Sequence, residues 1–465
     1  MPQKITFIGS GQITAVFAGL LAYHNRALIS QGQKPVEISI LGRGGSESLA
    51  AMKQKGVTLN IKARAGEEPS DIIIKPEEFS FIVDDVRQIR NESDGNIIPQ
   101  DHIFVATKAF DHGEILESIK SLKDQSRTDC DNVTTVIFAQ NGIPDWFLSE
   151  LPETQIDKSK FKTGDQEVIN SSRELVLEVG RGSIVGCILN VACSVDVVEG
   201  RPNYGRYKVS TPFQNIGIPM DCIDGEYRNN GSNIANLQRI FGIVSLEGQK
   251  LDVTIIDGNI RKEMLRKLQI NAAVNGPCTI TGETIGGIIN HPQYSSIVYA
   301  ASTEVSEMAK SIFGIDLRSR EDLESRLERS AAHPTSMAID FDYGKNMEVG
   351  AIYKTVDLVS RITNHGSKKI IRAIAETLEQ MQLARDNALK SEGLADIKSV
   401  RIVVGQQIDD LSEMANKYRP PTPQRNRGNS ASSNSSDESE PRKRIRTTSY
   451  SQTANVNQEQ VHNRK

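Results

Sequence analysis

Four residues into the chain, the apolar run Lys4-Ile-Thr-Phe-Ile8 leads into Gly9-Ser10-Gly11-Gln12-Ile13-Thr14 and then Ala15-Val-Phe-Ala-Gly-Leu-Leu21. A strand must therefore turn at once into a helix, which commits the chain to an α/β beginning. The first glycine permits a tight turn. The second lets a pyrophosphate approach the backbone at the helix N-terminus, where unpaired N–H groups and the helix dipole favour an anion. Gly9, Ser10, Gly11, Gln12, Ile13 and Thr14 are thus candidate dinucleotide-binding residues, although an ordinary βα turn can carry two glycines as well. Thr14 stands where the fingerprint has its third glycine. The second apolar run, Val36-Glu-Ile-Ser-Ile-Leu41, ends in Gly42-Arg43-Gly44-Gly45. An acidic residue there would hold the ribose hydroxyls of NAD. An arginine can instead pair with the 2′-phosphate of NADP. The expected cofactor is NADPH, against the alternative that Arg43 is a surface arginine.

The first half alternates strand-like and helix-like segments, the pattern of an open parallel sheet. His102–Thr107 reads as a strand and Lys108 begins the turn into a helix around Ile115–Leu122. Asn132–Ala139 reads as the next strand, followed by Gln140-Asn141-Gly142. Ligands of such sheets gather at the carboxyl ends of strands. Lys108, Asn141, Arg43 and the glycine turn all lie at such ends. Residues 152–175 are polar and are expected to form an inserted loop. From Ser183 to about Ile256 the pattern is strand-rich, with turn signals at Gly200-Arg-Pro and Asn229-Asn-Gly231, and Glu226–Gln249 is expected to hold a helix with its connections. Leu189–Val195 reads as a strand in which Cys193 serves as a small apolar residue. After Asp257 the chain turns helical. The reading is an α/β, Rossmann-type nucleotide-binding domain at 1–256, an all-helical domain at 257–418 and a disordered tail at 419–465.

In the helical part, Lys267, Asn271 and Asn275 recur at four-residue intervals. Each such step turns about 400°, so the three drift only about 40° apart and line one face. One cation and two amides in a row suit a small ligand bearing a carbonyl or carboxylate, and they would equally suit a solvated stripe. Charge and cysteines narrow the setting. The net charge of −4 gives no argument for nucleic acid or an acidic membrane. The cysteines at 130, 187, 193, 222 and 278 are odd in number, contain no CxxC pair and suggest reduced thiols, a cytoplasmic setting and no metal site. The opening apolar segments are too short and interrupted for a signal peptide, and no run is long enough for a membrane span.

These landmarks, taken in order, resemble the ketopantoate reductase (2-dehydropantoate 2-reductase) family. They are Gly9-Ser-Gly11, Arg43, Thr107-Lys108-Ala109, Gln140-Asn141-Gly142, Arg266-Lys267-Leu268 with Asn271 and Asn275, Ser336-Met337 and Glu348. The likeness runs from about Lys4 to Ile362, with gaps at 152–175 and within roughly 211–250. It implies an active site in the cleft between the α/β and helical domains, and NADPH-dependent reduction of ketopantoate to pantoate in coenzyme A biosynthesis. Lys267 would be the general acid, since reduction of a ketone develops an alkoxide that a nearby ammonium can stabilise and protonate. Glu348 would hold a substrate hydroxyl and fix the lysine. It precedes Val349, Ile352, Val356 and Val359, which are spaced like the buried face of a helix. Asn271, Asn275 and Ser336 would bond substrate oxygens, and Lys108 and Asn141 would lie between cofactor and substrate. Taken singly, Asn141 is also a good turn residue and Ser336 a good helix cap.

The sequence departs from the family at Thr14, at Asn275-Gly276-Pro277, where the family has proline directly after the asparagine, and in its insertions. Another 2-oxo acid as substrate and a non-catalytic NADP-binding regulatory protein both stay open, as does a homodimer. Beyond the family pattern, Ser367–Lys390 and Asp396–Tyr418 read as helices. Pro420–Lys465 carries eight Lys or Arg against four Asp or Glu, a local charge of +4 that includes the basic cluster Arg442–Arg446. With so little apolar surface the tail is expected to stay disordered, and a nucleic-acid role for its basic cluster is not expected.

Overall fold

The computed structural model describes residues 3–61, 70–108, 112–123, 134–189, 191, 193–198, 201–209, 220–222, 237, 240–241, 245–246, 249–250, 260–392, 400–401 and 405–417. Met1–Arg419 is one compact unit, and the basic tail lies outside the described residues. A seven-stranded sheet forms the first part. Its strands are β1 (Lys4–Ile8), β2 (Glu37–Leu41), β5 (Phe81–Val83), β6 (His102–Val105), β7 (Thr135–Phe138), β8 (Ile184–Cys187) and β11 (Met220–Cys222), in the order β11-β8-β7-β6-β1-β2-β5. Every pairing is parallel except that of β11 with β8. Because β1 lies between β6 and β2, the chain reverses direction across the sheet at that point. The carboxyl ends of β7, β6, β1 and β2 therefore stand side by side, which is where an open α/β sheet leaves a crevice.

The central strands are buried on both faces, as a parallel sheet covered by crossover helices requires. Along β6, Ile103 and Val105 join one core while Phe104 joins the other. The helix α1 (Gln12–Ser30) packs Val16, Phe17, Leu20 and Leu21 into the second core. Each of these contributes about 1.5–3 kcal/mol on full burial. That core is closed by a four-stranded mixed sheet, β4 (Ser70–Ile74), β3 (Val57–Ile61), β10 (Arg201–Val209) and β9 (Cys193–Val198); strands around β9 and β10 are expected from the sequence, but β3, β4 and their pairing with β10 are not.

Two expectations are corrected. The polar stretch 152–175 is no loop. It holds short 3-10 turns at Glu153–Gln155 and Lys158–Lys160 and then the helix Asp165–Val179, which buries Ile169, Leu175, Val176 and Val179. Parallel pairing of β7 with β8 demands a crossover of this length, and the apolar residues have helical spacing beneath the polar composition. The strand expected from Leu189 starts only at Cys193. Within Glu226–Gln249, where a helix with its connections is expected, the described Leu237, Ile240 and Phe241 are helical, and the end pairs as a short antiparallel ladder between Ser245–Leu246 and Gln249–Lys250. The turn at Asn229–Gly231 lies outside the described residues.

The remainder is helical: Ile260–Thr281, Ile285–Asn290, Pro292–Phe313, Arg320–Glu328, Ser336–Asp342, a π-helical segment Gly350–Lys354 running into Thr355–Ile362, then Lys369–Glu392 and Gly405–Lys417. None of these helices is long and apolar enough to cross a membrane. The first core passes without a break from the sheet (Val105, Val136, Phe138) into the helices (Met264, Leu268, Ile352, Val356). Backbone hydrogen bonds help to fix this docking, among them that of the Asp157 N–H to the Ile362 carbonyl at 2.7 Å. The Ile143 N–H donates to the Ala351 carbonyl at 2.9 Å, and Gly142 turns with φ +83° directly against that carbonyl. A Cβ at Gly142 would meet the Ala351 oxygen at 2.5 Å, whereas one at Gly32, also left-handed at φ +70°, would meet nothing within 4 Å. Gly32→Ala should thus cost only the left-handed penalty of about 1–2 kcal/mol. Gly142→Ala should cost at least about twice that in urea unfolding, and equal costs would mean the joint carries no load.

Candidate active site

At the sheet edge the glycine turn behaves as its residues require. Gly9 takes φ +108°, and a Cβ there would press on the Ala106 backbone carbon and the Thr107 methyl at 3.2 Å. Gly11 is the N-cap of α1, and a Cβ on it would point into open space. The helix start has no side-chain cap and no acidic residue in its first turn. The neighbouring helix α2 (Glu47–Lys55) instead has Ser46 as a cap and Glu47 in its first turn. An uncapped helix start behind a side-chain-free position fits a pyrophosphate. Gln12 and Ile13 are half-buried there. Thr14 is fully buried, and α1 starts normally, with the Ala15 N–H donating to Gly11 at 3.0 Å. The hydroxyls of Thr14 and Thr107 are buried without hydrogen-bond partners beside this turn. Ser10 is tied to the end of β2 by its 3.1 Å contact with the Ser46 hydroxyl and by the Ser48 hydroxyl, which donates to the Ser10 carbonyl. Arg43 is exposed at that end, its carbonyl accepting from the Ser46 N–H at 3.2 Å.

The ends of β6 and β7 reach across to the helices. Lys108 Nζ donates to Asp340 Oδ2 at 2.8 Å and to the Asn346 carbonyl. Asn141 Nδ2 donates to Glu348 Oε2 at 3.2 Å. Glu348 is buried just ahead of the π-helical segment, and burial pushes its carboxyl up from the usual range against the opposing effects of Lys108, Asn141 and Lys267. Lys267 lies on the Ile260–Thr281 helix and is half-buried as a residue. Its ammonium donates to the Leu189 carbonyl at 2.7 Å, and desolvation lowers its pKa to about 8, with Cys187 and Glu348 partly offsetting this. The two groups feel each other's charge, yet no direct ion pair joins them among the described residues, and the lysine is anchored by Leu189.

Asn271 and Asn275 follow Lys267 up the same helix, the first half-buried and the second buried. Their turn has an unusual support. Pro277 sits inside the helix, which nonetheless continues to Thr281. At Gly276 the ladder is opened by a side chain. The buried Tyr353 hydroxyl accepts from the Gly276 N–H at 2.6 Å and donates to the Ala272 carbonyl at 3.1 Å. The phenol thus bridges a donor and an acceptor one helical turn apart, directly before the proline. A Cβ at Gly276 would meet this hydroxyl at 2.7 Å and Ile374 at 2.4 Å. Gly276 therefore leaves the helix intact and makes room for the bridge.

Ser336 begins the Ser336–Asp342 helix and is exposed. The cap is Thr335, whose hydroxyl accepts from the Ala338 N–H at 3.4 Å. Ser336 lies four residues before Asp340 and so on the same helix face. The structure thus gathers Asn141, Lys108 and Lys267 around the Glu348 carboxyl, with Asn271 and Asn275 on the lysine's helix. Asp340, Tyr353 and the Leu189 carbonyl were missed from the sequence. Only Asp340 left a trace there, as an acid four residues beyond Ser336.

The family model described as ketopantoate reductase PanE/ApbA matches residues 5–145, and its C-terminal counterpart matches 259–360. The chain belongs to the ketopantoate reductase family. A 2-dehydropantoate 2-reductase of Mesorhizobium japonicum is 22% identical over 382 residues, covering 80% of this chain and 96% of the relative. Two solved structures share the fold. The PanE/ApbA family ketopantoate reductase of Ralstonia eutropha has TM-score 0.57 at 15% identity, covering 83% of this chain and 100% of its own. D-mandelate dehydrogenase with NADH and anilino(oxo)acetate has TM-score 0.58 at 16% identity, with the same coverage.

Tyr353→Phe removes the bridging hydroxyl and leaves a buried N–H and carbonyl unpaired. It should cost about 1–3 kcal/mol in urea unfolding. A variant as stable as the parent would mean that the helix closes its own ladder without the phenol.

Proposed function

We propose that this protein is an NADPH-dependent 2-oxo acid reductase that converts 2-dehydropantoate to pantoate, with residues 1–256 holding the cofactor and 257–418 the substrate. The observation that carries this reading is the desolvated Lys267 ammonium, held by the Leu189 carbonyl and interacting with the Glu348 carboxylate that Asn141 bonds. A binding module has no use for a proton donor of lowered pKa set against a buried carboxylate.

A bound reduced nicotinamide would supply the hydride. The ammonium has three donors, of which one goes to Leu189 among the described residues, and another can reach the ketone oxygen. As negative charge develops on that oxygen, Lys267 stabilises it and passes a proton, and burial makes the resulting neutral amine tolerable. Glu348, held by Asn141, accepts the substrate hydroxyl. Asn271, Asn275 and Ser336 fix the remaining oxygens. Lys108 bridges the cofactor side to Asp340. Gly9 to Thr14 would cradle the pyrophosphate of the bound dinucleotide, and Arg43 would pair with its 2′-phosphate. The cytoplasmic setting rests on the cysteine pattern of the sequence.

A second reading, reduction of a bulkier or aromatic 2-oxo acid, is favoured by one observation. The D-mandelate dehydrogenase fold overlaps this chain as fully as that of the Ralstonia eutropha reductase does. Turnover of reduced nicotinamide with ketopantoate and a panel of other 2-oxo acids separates the two. Fast turnover with ketopantoate alone supports the pathway assignment, and turnover only with another acid keeps the mechanism and changes the substrate. Lys267→Ala should lower kcat by about 10²–10⁴-fold while NADPH still binds. Glu348→Ala should act chiefly on KM for the acid. Unchanged rates in both would remove the site assignment. Arg43→Ala should weaken NADPH far more than NADH, and equal weakening would count against the 2′-phosphate contact.

A further inference from the structure

Between Asp340, the acceptor for Lys108, and Glu348, the acceptor for Asn141, the chain makes a tight turn over Phe341–Met347. Part of this turn closes on itself: the Gly344 N–H donates to Phe341 and the Lys345 N–H to Asp340, at 3.1 and 2.8 Å. Further backbone groups of the turn are held from outside. Arg385 Nη1 donates to the Lys345 and Phe341 carbonyls at 2.8 and 3.3 Å, and the Met347 N–H donates to Gln382 Oε1 at 2.9 Å. Gln382 also reaches the Asn346 side chain at 3.5 Å, and the Asn346 carbonyl is the second acceptor for Lys108. Arg385 is only 1% exposed, and its other nitrogens are satisfied by Asp386.

Both side chains belong to the helix Lys369–Glu392, which begins beyond residue 360, where the family match ends. A buried guanidinium aimed at two carbonyls of one turn is a costly way to hold a loop unless that loop must be fixed in position. The turn separates the two carboxylates that the ends of β6 and β7 must find. A shift of the turn therefore moves Asp340 relative to Glu348.

We propose that Gln382 and Arg385 are positioning residues for the substrate site. They lock the Phe341–Met347 turn so that Asp340, the Asn346 carbonyl and Glu348 meet Lys108 and Asn141 together. This makes the helix beyond the family match a working part of the site, and it rests on the 2-oxo acid reductase reading above. The consequence falls chiefly on the acid, because Glu348 is assigned to the substrate, while the glycine turn and Arg43 follow β1 and β2 and make none of these contacts with the turn.

The test uses full-length wild type, Gln382→Ala, Gln382→Glu and, as a control on the same helix, Glu376→Ala, which removes only a surface pair with Arg372. For each, kcat and KM are measured with the best acid of the panel, NADPH affinity by fluorescence, and Tm. Gln382→Ala should raise KM for the acid roughly threefold to tenfold, the factor one hydrogen bond supplies, with a smaller change in NADPH affinity. Gln382→Glu keeps the oxygen that accepts from Met347 and should restore KM. Glu376→Ala should leave KM alone. A lowered Tm with unchanged KM in Gln382→Ala would overturn the inference, as would failure of Gln382→Glu to rescue or an equal KM rise in Glu376→Ala. A wild type that reduces no acid in the panel removes the reductase reading itself, and a substrate role for both residues with it.

Discussion

The hydrogen bond from Ile143 to the Ala351 carbonyl is the contact on which the site depends. It joins the end of β7 to the π-helical segment, and Gly142 allows the approach because it has neither a Cβ nor a preference against positive φ. A π-helical turn displaces backbone groups from the regular ladder, and such turns often mark working sites. Here the displaced turn stands directly after Glu348, so the joint that docks the helices onto the sheet also sets the reach of Asn141. With the halves docked, the Lys267 ammonium is removed from water and left with the Leu189 carbonyl. Its lowered pKa is thus a consequence of the joint.

The second dependence runs through Tyr353, three residues inside the same π-helical segment. Its hydroxyl is spliced into the helix that carries Lys267, Asn271 and Asn275. One short segment therefore positions the carboxylate, accepts the sheet and supports the helix of the lysine. In the turn just before Pro277 the Gly276 N–H and the Ala272 carbonyl both have the Tyr353 hydroxyl as a partner, and the helix runs on to Thr281.

Much of this was legible from the chain. The strand, glycine turn and helix at residues 4–21, the apolar strands ending at Arg43, Lys108 and Asn141, and the four-residue spacing of Lys267, Asn271 and Asn275 are local patterns with local causes. The helix Asp165–Val179 was misread because its polar residues outnumber the apolar ones that carry its period. The second sheet escaped because β3 and β10 are partners separated by more than a hundred residues, and nothing local records such a pairing. Tyr353, Asp340 and Leu189 were illegible for the same reason. Each acts through a contact made only after the helices dock, and the Leu189 contribution is a backbone carbonyl that no side-chain pattern can announce.

The account stands or falls on the state of Lys267. Its ε-ammonium can be titrated directly by NMR of selectively labelled lysine, assigned by comparison with Lys267→Ala. Desolvation at the docked site predicts a midpoint near 8, well below that of an ordinary lysine. A midpoint in the normal lysine range of about 10.4 would show an ammonium in contact with water. The claim that docking of the two halves creates the proton donor would then be wrong.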